Sequence, residues 1–307
     1  LKWFAGLFGG IATTAIIYFM LFKGLKDSSF MTPENKAWIS EHTSELLAYV
    51  FVGSALLMQV LHWCKVNILK VIVLMGTFAL AMAFAGNDLV NFIGIPLTGL
   101  ATYQDYMANG QAVGMDAFTL ESLNGPANTP IVFLLAAGAI MVFSLVTSKK
   151  ARNVINTSIN LSKQDDGDEM FGTSRVARRL VLTFNSIANW FIKITPEPVA
   201  LWIDKRFNKD EMIMEKGAAF DQLRAAINLV VAALLVALGT SLKLPLSTTF
   251  VTFMVAMGTS LADRAWNRES AVFRVTGVVS VIGGWFITAG AAFIICFVVA
   301  LLLHWGG

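Results

Sequence analysis

One carboxylate, Asp88, stands inside an apolar stretch that runs from residue 68 to residue 100. Asn87 precedes it directly, and Asn91 follows three positions later, which on a helix places Asn91 and Asp88 on one face. A charged side chain at the centre of a membrane helix costs about 2.5–3.5 kcal/mol, so function is the default interpretation of such a residue. Carboxylate and amide oxygens are hard ligands that suit Na⁺ or a proton. Asp88 and Asn91 are therefore predicted to bind a cation, with Asp88 as the direct ligand if that cation is Na⁺.

A second polar element, PLSTT, interrupts the apolar stretch at residues 245–249. Pro245 suits a helix start, and Ser247, Thr248 and Thr249 bring three hydroxyls to that start with no charged residue among them. Neutral donors at the positive end of a helix dipole favour a desolvated anion. The three hydroxyls are therefore candidate anion ligands. Packing, or bonding back to their own helix, is the alternative for them.

Asp88 also has a structural alternative. It could cap a helix that begins at Asn87, or pair with a cation such as Lys243.

The composition indicates an integral membrane protein. Of the 307 residues, 56% are hydrophobic and only 14% are charged, and the mean hydropathy is +0.66. Apolar runs near twenty residues recur, each long enough to cross a hydrocarbon core of about 30 Å as a helix. The net charge of +3 carries no nucleic-acid signal. No nucleophile or metal-ligand spacing surrounds the three scattered histidines, so an enzyme is not expected.

The expected fold is all-α, a polytopic helical bundle with broken half-helices. Gly86 weakens one helix, Asn87 and Asp88 would cap the next, and Pro96 would end or kink it. Residues 68–100 are thus predicted to form two half-helices that meet at Gly86-Asn87-Asp88. The predicted membrane segments are 3–22, 45–64, 68–100, 129–148, 217–242, 246–262 and 275–303.

Loop charge predicts the orientation. Residues 101–128 carry Asp105, Asp116 and Glu121 without any Lys or Arg, whereas residues 149–216 carry twelve Lys or Arg. The positive-inside rule then places 149–216 in the cytoplasm, together with the loop 263–274 and its three arginines, and places 101–128 outside. The result is a multi-pass protein of the inner or plasma membrane with its C-terminus outside.

Four segments are predicted along the chain. Residues 1–64 are membrane spans, 65–148 carry the Asp88 motif, 149–216 form a cytoplasmic loop, and 217–307 carry PLSTT and the last span. Within the loop, an apolar pattern with three arginines at its start recurs at spacings of three and four, in Val176, Leu180, Phe184, Ile187, Phe191 and Ile194. This pattern predicts an amphipathic helix on the anionic inner leaflet, with packing against the membrane bundle as the alternative.

Taken together, Ala85-Gly86-Asn87-Asp88-Leu89-Val90-Asn91 and Leu244-Pro245-Leu246-Ser247-Thr248-Thr249-Phe250 resemble the two hallmark motifs of the inorganic phosphate transporter (phosphate permease) family. The likeness covers about residues 65–303 without most of the insert 163–215. The family has each motif in two inverted halves, whereas this chain has one of each. It therefore resembles the C-terminal half, with the partner motifs expected upstream of Leu1 or on another chain. Phe250 also stands where the family has histidine.

The resemblance implies a symporter that moves inorganic phosphate with Na⁺ or H⁺ by alternating access, as a homodimer in membrane lipid. Asp88, Asn91 and Asn87 would serve the coupling cation. Ser247, Thr248, Thr249 and Asn91 would bind phosphate, and no further cofactor is implied. A sulfate or other oxyanion permease of the same architecture is the nearest alternative. A membrane sensor or scaffold that does not transport, with 149–216 as its partner-binding loop, is the alternative from another class.

Overall fold

The computed structural model describes residues 4–19, 32–111, 114, 118–119, 130–161, 172–205, 221–244, 246–262 and 268–306. Throughout these residues the chain is helix, turn and connecting segment, without a strand. The prediction of an all-α membrane helical bundle is confirmed. Several predicted features lie outside the described residues, namely Pro245, the acidic residues Asp116 and Glu121, and residues 263–267 of the predicted loop 263–274. The rest of that loop is wrong as predicted, because residues 268–274 are helical.

The helices in chain order are α1 (Ala5–Ile17), α2 (Pro33–Glu41), α3 (Thr43–Trp63), α4 (Ile68–Phe84), α5 (Val90–Asp105), α6 (Ile131–Thr147), α7 (Lys149–Leu161), α8 (Arg175–Ile194), α9 (Glu197–Asp204), α10 (Gln222–Ser241), α11 (Thr248–Ala262) and α12 (Arg268–Gly306). Two π-helical turns, Ala85–Leu89 and Tyr106–Gly110, follow α4 and α5. Each predicted membrane segment overlaps at least one of these helices, and the segment 68–100 overlaps both α4 and α5.

Four stretches of the described chain are long and apolar enough to cross a membrane, and a fifth qualifies if the bent pair α6 and α7 counts as one span. The four are Thr43–Trp63, Ile68–Gly110, Gln222–Ser241 and Ala271–Gly306. Helices α1 and α11 have 13 and 15 residues, and at 1.5 Å per residue they reach about 20 Å, short of a 30 Å hydrocarbon core. The seven-crossing orientation therefore stays a prediction.

Contacts divide the chain into two compact units, residues 1–158 with 222–255, and residues 159–221 with 256–307. In the first unit, α1 and α3 pack closely because glycines face the partner helix. Gly6, Gly9 and Gly10 lie against Ala55, Met58 and Gln59 of α3. The hydroxyl of Ser54 on α3 also donates to the backbone oxygen of Gly10 at 3.4 Å. Small residues that let two backbones approach are the usual basis of helix association in membranes.

Gly10→Ala is expected to destabilise the first unit by about 1–3 kcal/mol, the usual cost of overpacking. The added Cβ would lie 2.8 Å from Cβ and 3.0 Å from Cα of Ala55, so a backbone has to shift. Gly53→Ala on α3 is the matched control, because a Cβ there meets nothing within 4 Å. Thermal unfolding of both variants in detergent checks this. A Tm of Gly10→Ala as high as that of the control would contradict it.

Helix α4 packs along α10, and this pair forms the centre of the first unit. Ile72 and Ala79 of α4 and Ala226 and Ala233 of α10 are each at most 4% exposed. Gly76 lies so close to α10 that a Cβ would be 2.9 Å from Cβ of Leu229. This packing holds the C-terminal ends of α4 and α10 in one unit, and each of the two polar motifs follows one of those ends.

The prediction of two half-helices at Gly86-Asn87-Asp88 is wrong in its geometry. The helix continues from α4 through the π turn Ala85–Leu89 into α5, and Ala85 and Leu89 keep right-handed helical dihedrals. Asn87 and Asp88 therefore cap no helix start. Pro96 likewise lies inside α5 without ending it. A π turn inserts an extra residue into the helix and changes the direction of the side chains around it. The regular helix is therefore interrupted at the position where a break was predicted, but it does not end there.

In the second unit, α8 packs against the beginning of α12. Ala177 and Val181 of α8 are buried with Ala271 and Val272 of α12, and Val275 covers them. The side chain of Ser174 caps α8 by accepting from the N–H of Ala177 at 3.1 Å. The predicted amphipathic helix is confirmed at residues 175–194.

Candidate functional site

The second motif is placed by a tight reversal at the end of α10. Lys243 adopts a left-handed conformation with φ 57°. The N–H of Leu244 donates to the oxygen of Gly239 at 2.9 Å, and that of Lys243 donates to the oxygen of Thr240 at 2.9 Å. Such a left-handed residue is a common helix terminator, since it satisfies the last carbonyls and turns the chain away. The chain then enters α11 at Thr248, beside the π turn of the first motif.

The two motifs meet through Asp88 and Thr248, which are 160 residues apart in the chain. The hydroxyl of Thr248 lies 3.0 Å from Oδ1 and 2.9 Å from Oδ2 of Asp88. Since a hydroxyl has one proton, it is shared between the two carboxylate oxygens or alternates between them. Nδ2 of Asn87 donates to Oδ1 of Asp88 at 3.0 Å and to the backbone oxygen of Leu246 at 2.9 Å. Asn87, Asp88, Leu246 and Thr248 are called the Asp88 cluster below.

The cluster is enclosed on one side and open on the other. Asn87 and Thr248 are 5% and 3% exposed, whereas Asp88 is half-buried. In the part of the chain that the structure describes, the partners of Asp88 are the neutral donors Asn87 and Thr248, and no Lys or Arg forms an ion pair with it. Since no described Lys or Arg pairs with this carboxylate, a cation bound there would be its counter-charge.

No protein-family model matches this chain, and no curated protein and no solved structure is similar to it.

The described residues support neither of the two structural alternatives for Asp88, which were a helix cap and an ion pair with Lys243. Asp88 does not cap a helix, because the helix runs through it and Thr248 and Asn87 are its hydrogen-bond partners. Lys243 is exposed at the end of α10 and forms no ion pair with Asp88. Asp88 instead contacts Thr248 of the second motif.

The other predicted ligands are placed differently. Ser247 and Thr249 are exposed on either side of the buried Thr248. The hydroxyl of Ser247 accepts from the N–H of Phe250 at 3.4 Å, and its backbone oxygen accepts from the N–H of Val251 at 3.1 Å. Ser247 thus has the position and bonding of an N-cap at the start of α11.

Asn91 does not join the cluster. It is exposed, and no hydrogen bond connects it to Asp88 or Thr248. The prediction that Asp88 and Asn91 share a face assumed an α-helix. The π turn ends just before Asn91 and winds the chain less per residue, which changes that register. Asn91 instead opens a groove of about 520 Å³ along α5, whose other polar side chains are Thr98 and Thr102.

Two contributors to the site had no sequence signal. The backbone oxygen of Leu246 accepts from Asn87, and a carbonyl leaves no trace in residue identity. Gly239 of α10 lies under the side chain of Leu246, where a Cβ would be 2.0 Å from Cδ1 and 2.9 Å from Cγ of Leu246. Because Gly239 has no side chain, the turn before Thr248 packs closely on α10. This packing places the carbonyl of Leu246.

A cation at Asp88 would draw on oxygen ligands. The described residues contain no group of three or more His, Cys, Asp or Glu side chains that could hold a metal ion. The oxygens gathered at the cluster are the Asp88 carboxylate, the Thr248 hydroxyl and the Leu246 carbonyl. Carboxylate, hydroxyl and carbonyl oxygens are ligands for hard cations such as Na⁺, and the carboxylate alone is sufficient for a proton.

Proposed function

We propose that this chain is a secondary active transporter that carries inorganic phosphate together with Na⁺ or H⁺ across the inner or plasma membrane. The proposed family is that of the inorganic phosphate transporters, whose hallmark motifs the two elements around Asp88 and Thr248 resemble. The observation that carries the proposal is the contact of Asp88 with Thr248. It joins the motif proposed for the cation to the motif proposed for the anion, among helices of which Ile68–Gly110 and Gln222–Ser241 are long and apolar enough to cross a membrane.

The coupling follows from electrostatics. A phosphate bound by the hydroxyls at the start of α11 would lie near the carboxylate of Asp88. Two like charges about 4 Å apart repel by about 4 kcal/mol at the effective dielectric constant usual near a protein surface. A Na⁺ at the carboxylate, or a proton on it, removes this repulsion. The bound cation then strengthens anion binding and the bound anion strengthens cation binding by the same factor, and this reciprocal coupling favours movement of the two together.

The start of α11 suits a phosphate in two ways. Ser247 and Thr249 expose hydroxyls beside Thr248, and the helix dipole is positive at this end. Hydroxyl groups can both donate to phosphate oxygens and accept from a protonated one. Asn91 would contact the substrate from the groove along α5. Broken or distorted helices that aim their ends at a central ion are common in transporters.

Phosphate fits better than sulfate because of the acceptor at the site. A monoprotonated phosphate can donate a hydrogen bond to a carboxylate oxygen, whereas sulfate has no proton to donate. Asp88 is half-buried and holds several acceptor lone pairs, so it can discriminate in this way. When a ligand such as sulfate brings no donor for this acceptor, its binding is weakened by about 1–3 kcal/mol, which lowers the affinity five-fold or more.

Uptake of radiolabelled phosphate into cells that express the complete gene tests the proposal. We expect uptake that depends on Na⁺ or on a proton gradient and that excess sulfate leaves unchanged. Uptake abolished by sulfate would move the substrate to another oxyanion. Absence of uptake for both anions, with the protein present in the membrane, would favour a sensor or scaffold.

Gly239→Ala is expected to raise the KM for phosphate by no more than about five-fold, because the side chain of Leu246 has to repack around the new Cβ, next to the carbonyl that accepts from Asn87. Gly258→Ala on α11 is the matched control, since a Cβ there meets nothing within 4 Å. Leu246→Ala in the Gly239→Ala background removes the clash and is expected to recover part of the loss. Equal KM values for Gly239→Ala and Gly258→Ala would remove Gly239 from the positioning of the site.

A further inference from the structure

Helix α8 has two apolar sides, and the described residues cover only one of them. Ala177 and Val181 are buried against the beginning of α12. The stripe formed by the six larger residues at spacings of three and four is 38–64% exposed. These residues, called the α8 stripe below, are Val176, Leu180, Phe184, Ile187, Phe191 and Ile194. An apolar stripe of this size, left open beside a packed edge, is too extensive for an ordinary surface helix in water.

The packing of α8 fixes its depth relative to a membrane. Its partners Ala271, Val272 and Val275 lie at the start of the membrane-span candidate Ala271–Gly306. At about 1.5 Å per residue the 36 residues of this candidate reach about 54 Å, more than the roughly 40–45 Å of a whole bilayer, so its first residues lie at the level of the headgroups. A helix docked there lies at the level of the bilayer surface, where an apolar side can enter the acyl boundary while a polar side stays in water.

Charge indicates which kind of lipid α8 would contact. Residues 175–194 contain Arg175, Arg178, Arg179 and Lys193 and neither Asp nor Glu. Three of the four cations are at the first turn of α8, beside its contact with α12. Each Lys or Arg near an anionic membrane surface contributes about 1 kcal/mol of attraction. A second copy of α8 would instead bring equal charges together.

We propose that α8 is an interfacial helix that α12 holds at the membrane surface, and that it binds anionic phospholipid. The α8 stripe enters the acyl boundary by roughly 5–10 Å, as surface-lying amphipathic helices do. Arg175, Arg178 and Arg179 contact the headgroup phosphates, with the guanidinium groups donating paired hydrogen bonds. This interaction is independent of the Asp88 cluster and goes beyond transport.

Spin-label accessibility on the intact protein tests the placement of α8. Phe184→Cys reports on the stripe, and Asn189→Cys reports on the exposed polar side, with Cys64 and Cys296 replaced by Ser. In phosphatidylcholine vesicles containing phosphatidylglycerol, the label at Phe184 is expected to collide with oxygen and to be shielded from a water-soluble nickel chelate. The label at Asn189 is expected to behave in the opposite way. Equal nickel access at both positions would overturn the proposal, and so would a Phe184 label shielded from both reagents, which indicates a protein partner.

The charge requirement is tested with a matched pair of triple variants in the same assay. In the wild type, shielding of the Phe184 label from nickel is expected to be stronger in vesicles with phosphatidylglycerol than in vesicles without it. Replacing Arg175, Arg178 and Arg179 with Gln is expected to abolish this difference. Replacing the same three residues with Lys keeps the charge and is expected to keep most of that difference. A Gln variant that responds to phosphatidylglycerol as the wild type does would overturn the proposed anionic-lipid contact.

Discussion

Asp88→Asn is expected to lower cation-driven phosphate uptake at least a hundred-fold while the protein still folds and inserts. The amide has nearly the shape of the carboxylate and can still accept from the hydroxyl of Thr248. It has no charge to attract Na⁺ and does not bind a proton at neutral pH. The lost attraction between the carboxylate and the cation is about 4 kcal/mol at 4 Å and an effective dielectric constant of 20. This energy corresponds to a larger loss of uptake than the hundred-fold that we expect as a minimum.

Initial rates of uptake, normalised to the amount of protein in the membrane, check this result. Asp105→Asn is a suitable control, because Asp105 is the last residue of α5 and lies outside the cluster. Thermal unfolding in detergent separates loss of function from loss of fold. Normal cation-dependent uptake by Asp88→Asn would remove Asp88 from the mechanism.

Thr248→Val is expected to raise the KM for phosphate about ten-fold or more. Valine keeps the size and the branched Cβ but removes the hydroxyl that contacts both oxygens of Asp88. Because Thr248 is 3% exposed, water does not easily replace that hydroxyl, and an unpaired polar group costs about 1–3 kcal/mol. Thr248→Ser keeps the hydroxyl and is expected to stay within about two- to three-fold of wild type.

The neighbouring hydroxyls provide the comparison for Thr248. Thr249→Val removes an exposed hydroxyl, and Ser247→Ala removes the acceptor for the N–H of Phe250. Both are expected to raise KM by less than Thr248→Val does. If all three variants keep the KM of the wild type, the hydroxyls of PLSTT serve packing only, and the anion site lies elsewhere.

Residue types alone were sufficient to single out both motifs. A carboxylate in an apolar stretch is costly, and Ser-Thr-Thr after a proline is an unusual cluster in a membrane segment. Sequence also predicted the apolar face of α8, since the spacing of Val176, Leu180 and Phe184 follows the helical repeat. These signals concern single helices, where local spacing determines which residues share a face.

What sequence could not give is the contact between the two motifs. Asp88 and Thr248 meet because α4 packs on α10 and because Lys243 ends α10 with a left-handed turn. That packing depends on interhelical shape, for example the approach that Gly76 allows, and no local pattern encodes it. The carbonyl of Leu246 also lies in the cluster because of this packing and this turn.

The error at Gly86 has a specific cause. Glycine beside Asn and Asp is a strong signal for a helix break in water, where exposed backbone groups are solvated. In a hydrocarbon environment an open backbone is costly, so a π turn that keeps the hydrogen bonds within the helix is the better solution. The same argument applies to Pro96, which α5 accommodates without ending.

The most direct test of the central claim is the affinity of the intact purified protein for phosphate, measured by equilibrium binding at increasing Na⁺ and at decreasing pH. If Asp88 couples the cation to the anion, one of the two cations raises the phosphate affinity of the wild type, by about ten-fold for each 1.4 kcal/mol of coupling. Asp88→Asn is then expected to bind phosphate with an affinity that neither cation changes. The same cation dependence in the wild type and in Asp88→Asn would contradict the account.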